Sequence, residues 1–198
     1  ESVVVEDDAG KKGIQLVPDA GRDRLVRVVT TGVNLDEVEV RFREQIVSGA
    51  SVDITIPAHL SPAVYGLRVI ARNAEGEAIR DMNVTVLPRV AIAVESASGQ
   101  MVVTAGGRGQ KNPVVVRNEG NVPVRLGAVV QGFRGLPMEV TQEGEGRAAA
   151  ISRKVSLLDD VIQPGLSKEL RIAFSVPKDA KEGTYTGALV FTAKEAKG

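Results

Sequence analysis

The sequence predicts an all-β protein built from two tandem antiparallel β-sandwich domains. Three observations predict this class: aliphatic and polar residues alternate along many short runs, turn residues separate those runs, and one Pro–Tyr spacing occurs twice. Hydrophobic residues make up 43% of the 198 residues and aromatic residues only 3%, while glycine contributes 21 residues and proline 9. The length suits one large domain or two domains of about 100 residues each.

Alternation with a period of two predicts half-buried strands, because successive side chains of a strand point to opposite faces of a sheet. In residues 38–43, for example, the two valines and Phe42 share one face and charged residues share the other. Residues 148–151 carry the strongest helical pattern, and we expect no more than a short turn there. Strands without intervening helices favour antiparallel sheets. We predict strands at 25–31, 38–43, 52–56, 66–72, 82–87, 89–94, 101–105, 113–117, 122–131, 170–176 and 187–193.

Both tyrosines of the chain lie eight residues after a proline that follows a predicted strand, so Pro57 precedes Tyr65 and Pro177 precedes Tyr185. This spacing is typical of a tyrosine corner, in which the hydroxyl bonds to nearby backbone at a strand-to-strand turn of an immunoglobulin-like sandwich. Since the spacing occurs twice, we predict two immunoglobulin-like domains at residues 1–87 and 88–198, with structural tyrosine corners at Tyr65 and Tyr185.

Segments of both predicted domains resemble known immunoglobulin-like families. The first domain resembles the IPT/TIG family over residues 14–87, through segments 27–35, 38–42, 52–57 and 65–69. The second resembles the NEW3 and CARDB modules of prokaryotic envelope proteins over residues 89–195, through segments 113–124, 162–167 and 177–185. Residues 118–122 also resemble TasA-like proteins, which build extracellular fibres. By analogy, these resemblances imply a secreted or cell-surface setting and a scaffold or adhesion role.

Charge and cysteine content argue against several function classes. The 25 basic and 25 acidic residues cancel, so the charge pattern gives no reason to expect nucleic-acid binding. The chain has no cysteine, which excludes disulfides, thiolate metal sites and cysteine nucleophiles. No run approaches the about 18 apolar residues of a membrane span, and no signal peptide is recognisable. We expect an extracellular or cell-surface protein with no membrane insertion within this chain.

Three patterns that could suggest chemistry lack the context that the chemistry needs. His59 is the only histidine, with no cysteine or second histidine to share a metal, and we expect it to be a solvated loop residue. Residues 144–149 match a relaxed dinucleotide fingerprint without a strand–turn–helix unit. Ser175 and Lys178 match S-x-x-K, but Pro177 prevents the helical turn that would bring them together. We therefore predict no enzyme, no catalytic residues and no cofactor.

Paired carboxylates and a glycosylation sequon are the remaining candidate sites. Asp7 with Asp8, and Asp159 with Asp160, could ligate Ca²⁺, but neither pair lies in a recognisable ligand loop, so no metal site is predicted. Asn83 begins the sequon Asn-Val-Thr, and alternation in its strand points its side chain outward. Asn83 is thus a candidate for glycosylation.

The segment Val3, Val4 and Val5 is an aliphatic strand followed by residues rich in glycine and charge. Two interpretations stay open. The segment is either the first strand of its own domain or a donor strand that completes a sheet edge in a neighbouring subunit.

Three hypotheses for function follow. The first is a non-catalytic structural protein of a prokaryotic cell surface, an envelope-layer, fibre or stalk component that assembles through β-edges or domain faces with protein partners, including copies of itself. The second is a secreted module that binds carbohydrate or a partner protein, although sugar-binding faces are usually rich in tryptophan and tyrosine. The third is a pilus chaperone with two immunoglobulin domains, because residues 113–131 are similar to a subunit-binding domain, although in the wrong half of the chain.

Overall fold

In the computed structural model, every regular element of the described part of the chain is a β-strand. The predicted all-β class is therefore confirmed. The chain divides into two compact units. Unit 1 comprises Glu1–Arg89 with Gly120–Val122, and unit 2 comprises Val90–Glu119 with Pro123–Gly198. The predicted domain boundary at residues 87 and 88 stays a prediction. The structure describes residues 3–5, 13–30, 36–95, 101–110, 113–134, 136, 139–143, 148–152 and 156–196.

Unit 1 contains two sheets, ordered β1-β3-β6 and β2-β8-β7-β4-β5. Their ladders are antiparallel except at the two N-terminal strands, since β1 pairs in parallel with β3 and β2 with β8. The strands are β1 (Val3–Val5), β2 (Gly13–Leu16), β3 (Arg24–Val29), β4 (Glu37–Phe42), β5 (Gln45–Ser48), β6 (Ser51–Ile56), β7 (Ala63–Asn73) and β8 (Gly76–Val86).

The core of unit 1 lies between these sheets. Val26 and Ile54 from the three-stranded sheet belong to the same buried cluster as Val40, Phe42 and Val84 from the five-stranded sheet. Each of these side chains is inaccessible to solvent. Full burial of one such side chain contributes about 1.5–3 kcal/mol, so the alternating aliphatic positions hold the two sheets together.

Unit 2 also contains two sheets, ordered β15-β12-β17 and β14-β13-β16-β11-β9, with β10 paired to β16. All of its described ladders are antiparallel. Its core joins Leu126 and Leu158 of one sheet to Val116, Leu170 and Ile172 of the other, so each unit is an immunoglobulin-like sandwich. The strands are β9 (Ile92–Glu95), β10 (Arg108–Gln110), β11 (Val114–Asn118), β12 (Val124–Gly132), β13 (Glu139–Glu143), β14 (Ala148–Ile151), β15 (Ser156–Ile162), β16 (Ser167–Ser175) and β17 (Gly187–Glu195).

Two of the predicted elements are wrong. Residues 101–105 form no strand, because the chain turns there: the Thr104 carbonyl accepts a hydrogen bond from the Gly107 amide at 2.8 Å, and the side chain of Val102 is 97% exposed. Residues 148–151 form strand β14 rather than a turn, because their backbone pairs with β13. An available partner strand thus overrides the helical preference of the three alanines.

Candidate functional site

Strand β17 forms one edge of the three-stranded sheet of unit 2. All nine of its residues pair with β12, from Gly187 opposite Gly132 to Glu195 opposite Val124. Among the strands of the described residues, none pairs with its other side. The backbone N–H and C=O groups on that side therefore form a template on which a further strand could pair.

The side chains of β17 that face the core are incompletely covered. Leu189, Phe191 and Ala193 pack against the core of unit 2, yet each stays partly exposed. The position of β17 at the end of its sheet accounts for this, because a neighbouring strand would cover the open flank of these side chains. The site is thus a backbone edge that no described strand covers, beside partly exposed apolar side chains.

The two tyrosines occupy similar local turns. The Tyr65 hydroxyl donates to the Ser61 carbonyl at 2.8 Å, and the Tyr185 hydroxyl donates to the Lys181 carbonyl at 2.9 Å. Each bond spans four residues, but Tyr65 lies within β7, whereas Tyr185 lies just before β17. Their role as tyrosine corners stays a prediction.

The Tyr65 ring makes further contacts within unit 1. It meets the Phe42 ring edge-on with centroids 6.2 Å apart, and the guanidinium of Arg43 lies 5.8 Å from its centroid. These distances suit aromatic packing and a cation–π contact. Tyr65 therefore joins its turn to the core of unit 1.

Asn83 lies on β8 with its side chain exposed, between Gly13 of β2 and Gly66 of β7. A Cβ atom on Gly66 would meet nothing within 4 Å, so the surface is open on that side of Asn83, whereas a Cβ atom on Gly13 would lie 2.5 Å from the Asn83 carbonyl oxygen. An open depression of about 400 Å³ lies there, and its lining includes Arg41 and Arg68. The Asn83 side chain is thus exposed and has open space on the Gly66 side, and its modification stays a prediction.

Charged pairs cover the exposed strand faces of unit 1. Arg27 bonds Asp53 at 2.9 Å, and Arg68 bonds Asp81 at 2.6 Å. The hydrogen bond from Arg27 lowers the pKa of Asp53, and that from Arg68 lowers the pKa of Asp81. Because both pairs are exposed, solvent screening keeps their contribution to stability small. They are typical of a solvated face rather than a reactive site.

Two buried asparagines are held by backbone groups. The Asn118 Nδ2 donates to the Ile162 carbonyl at 2.9 Å. The Asn121 Nδ2 donates to the carbonyls of Leu60 and Leu87 at 2.9 and 3.1 Å. These bonds offset the cost of burying each amide. Both asparagines bond to residues far away in the sequence, so no local pattern identified these partners.

His59 is half-buried in unit 1 rather than fully solvated, although it does lie in a loop. Its Nδ1 lies 2.8 Å from the Gly120 carbonyl, and because a carbonyl oxygen only accepts, this nitrogen carries the proton. The expectation of a solvated side chain is wrong, because the backbone carbonyl of Gly120, far away in the sequence, hydrogen-bonds to the imidazole ring.

The described part of the structure does not bring the other candidate residues from the sequence together into a site. Val3, Val4 and Val5 pair with β3 of the same chain, and whether they also serve as a donor strand stays a prediction. Ser175 ends β16, while Lys178 lies exposed in the following turn. Asp159 and Asp160 lie within β15. Asp7, Asp8 and residues 144–147 lie outside the described residues.

The described residues contain no candidate metal cluster and no candidate membrane-spanning helix. No group of three or more histidine, aspartate or glutamate side chains comes together as a metal site in that part of the chain. No helix there is long and apolar enough to cross a membrane.

No protein-family model matches the chain, so none supports the IPT/TIG or NEW3 resemblance, and no curated protein matches it. Several solved structures are similar. One is the CsuC–CsuE chaperone–tip adhesion subunit pre-assembly complex from archaic chaperone-usher Csu pili of Acinetobacter baumannii, with 12% identity and a TM-score of 0.49 over 98% of each chain.

A chaperone–tip adhesin complex of CFA/I fimbriae biogenesis shows 14% identity and a TM-score of 0.35, over 80% of this chain and 68% of that one. The fibronectin(III)-like modules of Clostridium thermocellum CbhA show 14% identity and a TM-score of 0.26, over 93% and 91%. The similar structures thus include chaperone–adhesin complexes and fibronectin(III)-like modules. None of these identities and scores supports a functional assignment.

Proposed function

We propose that this chain is a non-catalytic extracellular structural protein of a prokaryotic cell surface, a component of an envelope layer, fibre or stalk that assembles through its sheet edges. The observation that supports this proposal is the unpaired edge of β17. Along it, the outward backbone groups of a nine-residue strand and the partly exposed side chains of Leu189 and Phe191 face no paired strand among the described residues.

The composition of β17 supports assembly at this edge. Its first seven residues, 187–193, include no charged residue and no proline. Natural edge strands are usually protected by charges, prolines, bulges or short length, because an unprotected edge pairs with other chains. An edge without these features is typical of a strand that another chain covers.

Sedimentation velocity over a concentration series tests the proposal. The protein should form assemblies that grow with concentration. Val190→Lys places a charge in the middle of β17 on the face opposite the core, and two strands meeting there would bring lysines together. We expect this variant to weaken assembly by about tenfold or more, equivalent to about 1.4 kcal/mol.

Val115→Lys is the matched control. Val115 is half-buried like Val190, but its strand β11 is paired on both sides, where Glu95 and Glu169 lie opposite it. Lysine there gains two acidic neighbours and leaves β17 unchanged, so assembly should match that of the unmodified protein. A protein that stays monomeric at every concentration contradicts the proposal.

A further inference from the structure

Of the strands at the ends of the four sheets in the described part, β17 is both the longest and the one with the longest uncharged run. Strands β1, β2, β5, β9 and β14 span only three or four residues, and short edges offer little backbone to a partner. Strand β6 contains Asp53 and β15 contains Asp159 and Asp160. Strand β17 has nine residues, and its charged residues, Lys194 and Glu195, lie together at its end.

We infer that β17 pairs antiparallel with β17 of a second copy of this chain, about a two-fold axis perpendicular to the sheet. This inference rests on the proposed function and names the contact through which the chain assembles. The two three-stranded sheets would join into one continuous sheet, ordered β15-β12-β17 in one copy and continuing through β17, β12 and β15 of the other.

Symmetry favours β17 of a second copy as the partner strand. Two identical edges related by a two-fold axis run antiparallel, so one strand supplies both halves of the ladder and no second surface is required. A two-fold axis perpendicular to the sheet also keeps each side chain on its own face. Leu189, Phe191 and Ala193 of one strand therefore meet the same apolar set of the other, and each set gains the cover that its sheet does not provide.

The charge distribution agrees with the same arrangement. An axis within residues 187–193 places the uncharged runs of the two strands against each other. The Lys194–Glu195 pairs then lie at opposite ends of the ladder, where no like charges face each other. By contrast, a self-pairing of β6 centred on residue 53 would place two Asp53 carboxylates opposite each other.

Disulfide trapping tests the pairing directly, because the chain has no cysteine of its own. Ala188→Cys, Val190→Cys and Thr192→Cys place single thiols on the face opposite the core, and each variant is oxidised alone and in equimolar mixtures of two. Directly opposite positions in an antiparallel pair have residue numbers with a constant sum. If the two strands pair in one register, disulfide-linked dimers should form only between positions whose residue numbers add to the same value. Reduction should return these dimers to monomers.

Val115→Cys serves as the control and should stay monomeric, since β11 is paired on both sides. A Val4→Cys variant mixed with each β17 variant tests the alternative occupant. Disulfides formed only in those mixtures place the N-terminal strand of a second copy on β17 and overturn the two-fold pairing. Assembly that persists without any β17 disulfide also overturns it while leaving the proposed function intact. A protein that never assembles contradicts the proposed function itself.

Discussion

Strands β7 and β17 follow the same kind of turn but differ in their neighbours. Tyr65 lies within β7 and Tyr185 lies just before β17, and the hydroxyl of each bonds to the carbonyl four residues earlier. Each strand pairs antiparallel with an earlier strand of its unit, β4 or β12. Strand β7 is also paired along its whole length with β8. Strand β17 has no described partner on its second side.

The consequence is visible in the burial of leucines on the two strands. Leu67 on β7 is 1% exposed, whereas Leu189 on β17 packs against its core only in part. A local sequence pattern therefore predicts a turn and the strand after it, but the burial of that strand depends on whether a second neighbour exists. Three experiments can break or sharpen this comparison.

The largest difference should appear when leucine is shortened on each strand. Leu67→Ala should cost about 2–5 kcal/mol, because it leaves a cavity between strands that pack on both sides. Leu189→Ala should cost about 1–2 kcal/mol in the monomer, since part of the side chain already meets water. Native-state amide exchange in β4 and β12 reports the two units separately.

Measurements at a protein concentration below the onset of assembly keep the β17 edge uncovered. If the two leucine variants lose equal stability at that concentration, Leu189 is as well covered as Leu67. The proposed difference between the two strands would then disappear.

Removing the hydroxyl should cost similar stability at both tyrosines, whereas removing the whole ring should cost more at Tyr65 than at Tyr185. Tyr65→Phe and Tyr185→Phe each remove one hydrogen bond and should each cost about 0.5–1.5 kcal/mol. Tyr65→Ala should cost more than Tyr185→Ala, because the Tyr65 ring also contacts Phe42 and Arg43. Amide exchange in β7 and β17 measures each loss, and unchanged exchange in both phenylalanine variants would contradict a stabilising role for the hydroxyl bonds.

The smallest effect should be the pH dependence of unit 1. The pKa values of Asp53 and Asp81 are lowered in the folded protein by the hydrogen bonds from Arg27 and Arg68. The stabilisation is therefore present above the pKa of the unfolded carboxyl and lost as pH falls through the lower folded pKa. The thermal unfolding temperature should fall slightly as the pH is lowered through the acidic range. This fall should be smaller in the double variant that combines Asp53→Asn with Asp81→Asn. An unchanged acid profile in the double variant would assign the loss to other carboxyl groups.

Much of the strand pattern could be predicted because it is local. The alternation in residues 38–43 and 52–56 places the same side chains inward that the structure buries, since the two-residue period of a strand is a property of the backbone itself. Strands β2, β5, β10, β13 and β15 were not predicted, and β14 was expected to be no more than a short turn. In β5 and β13 polar residues interrupt the aliphatic alternation, and pairing with β4 and β16 rather than local pattern makes them strands.

By itself, the sequence determined the all-β class and most of the inward-facing aliphatic positions, because both depend on residues close together in the chain. The tertiary structure alone decided that residues 101–105 turn instead of pairing, that His59 meets the Gly120 carbonyl, and that β17 lies at an edge. These features depend on which distant segments become neighbours, and a strand's own residues do not specify whether one neighbour or two will cover it.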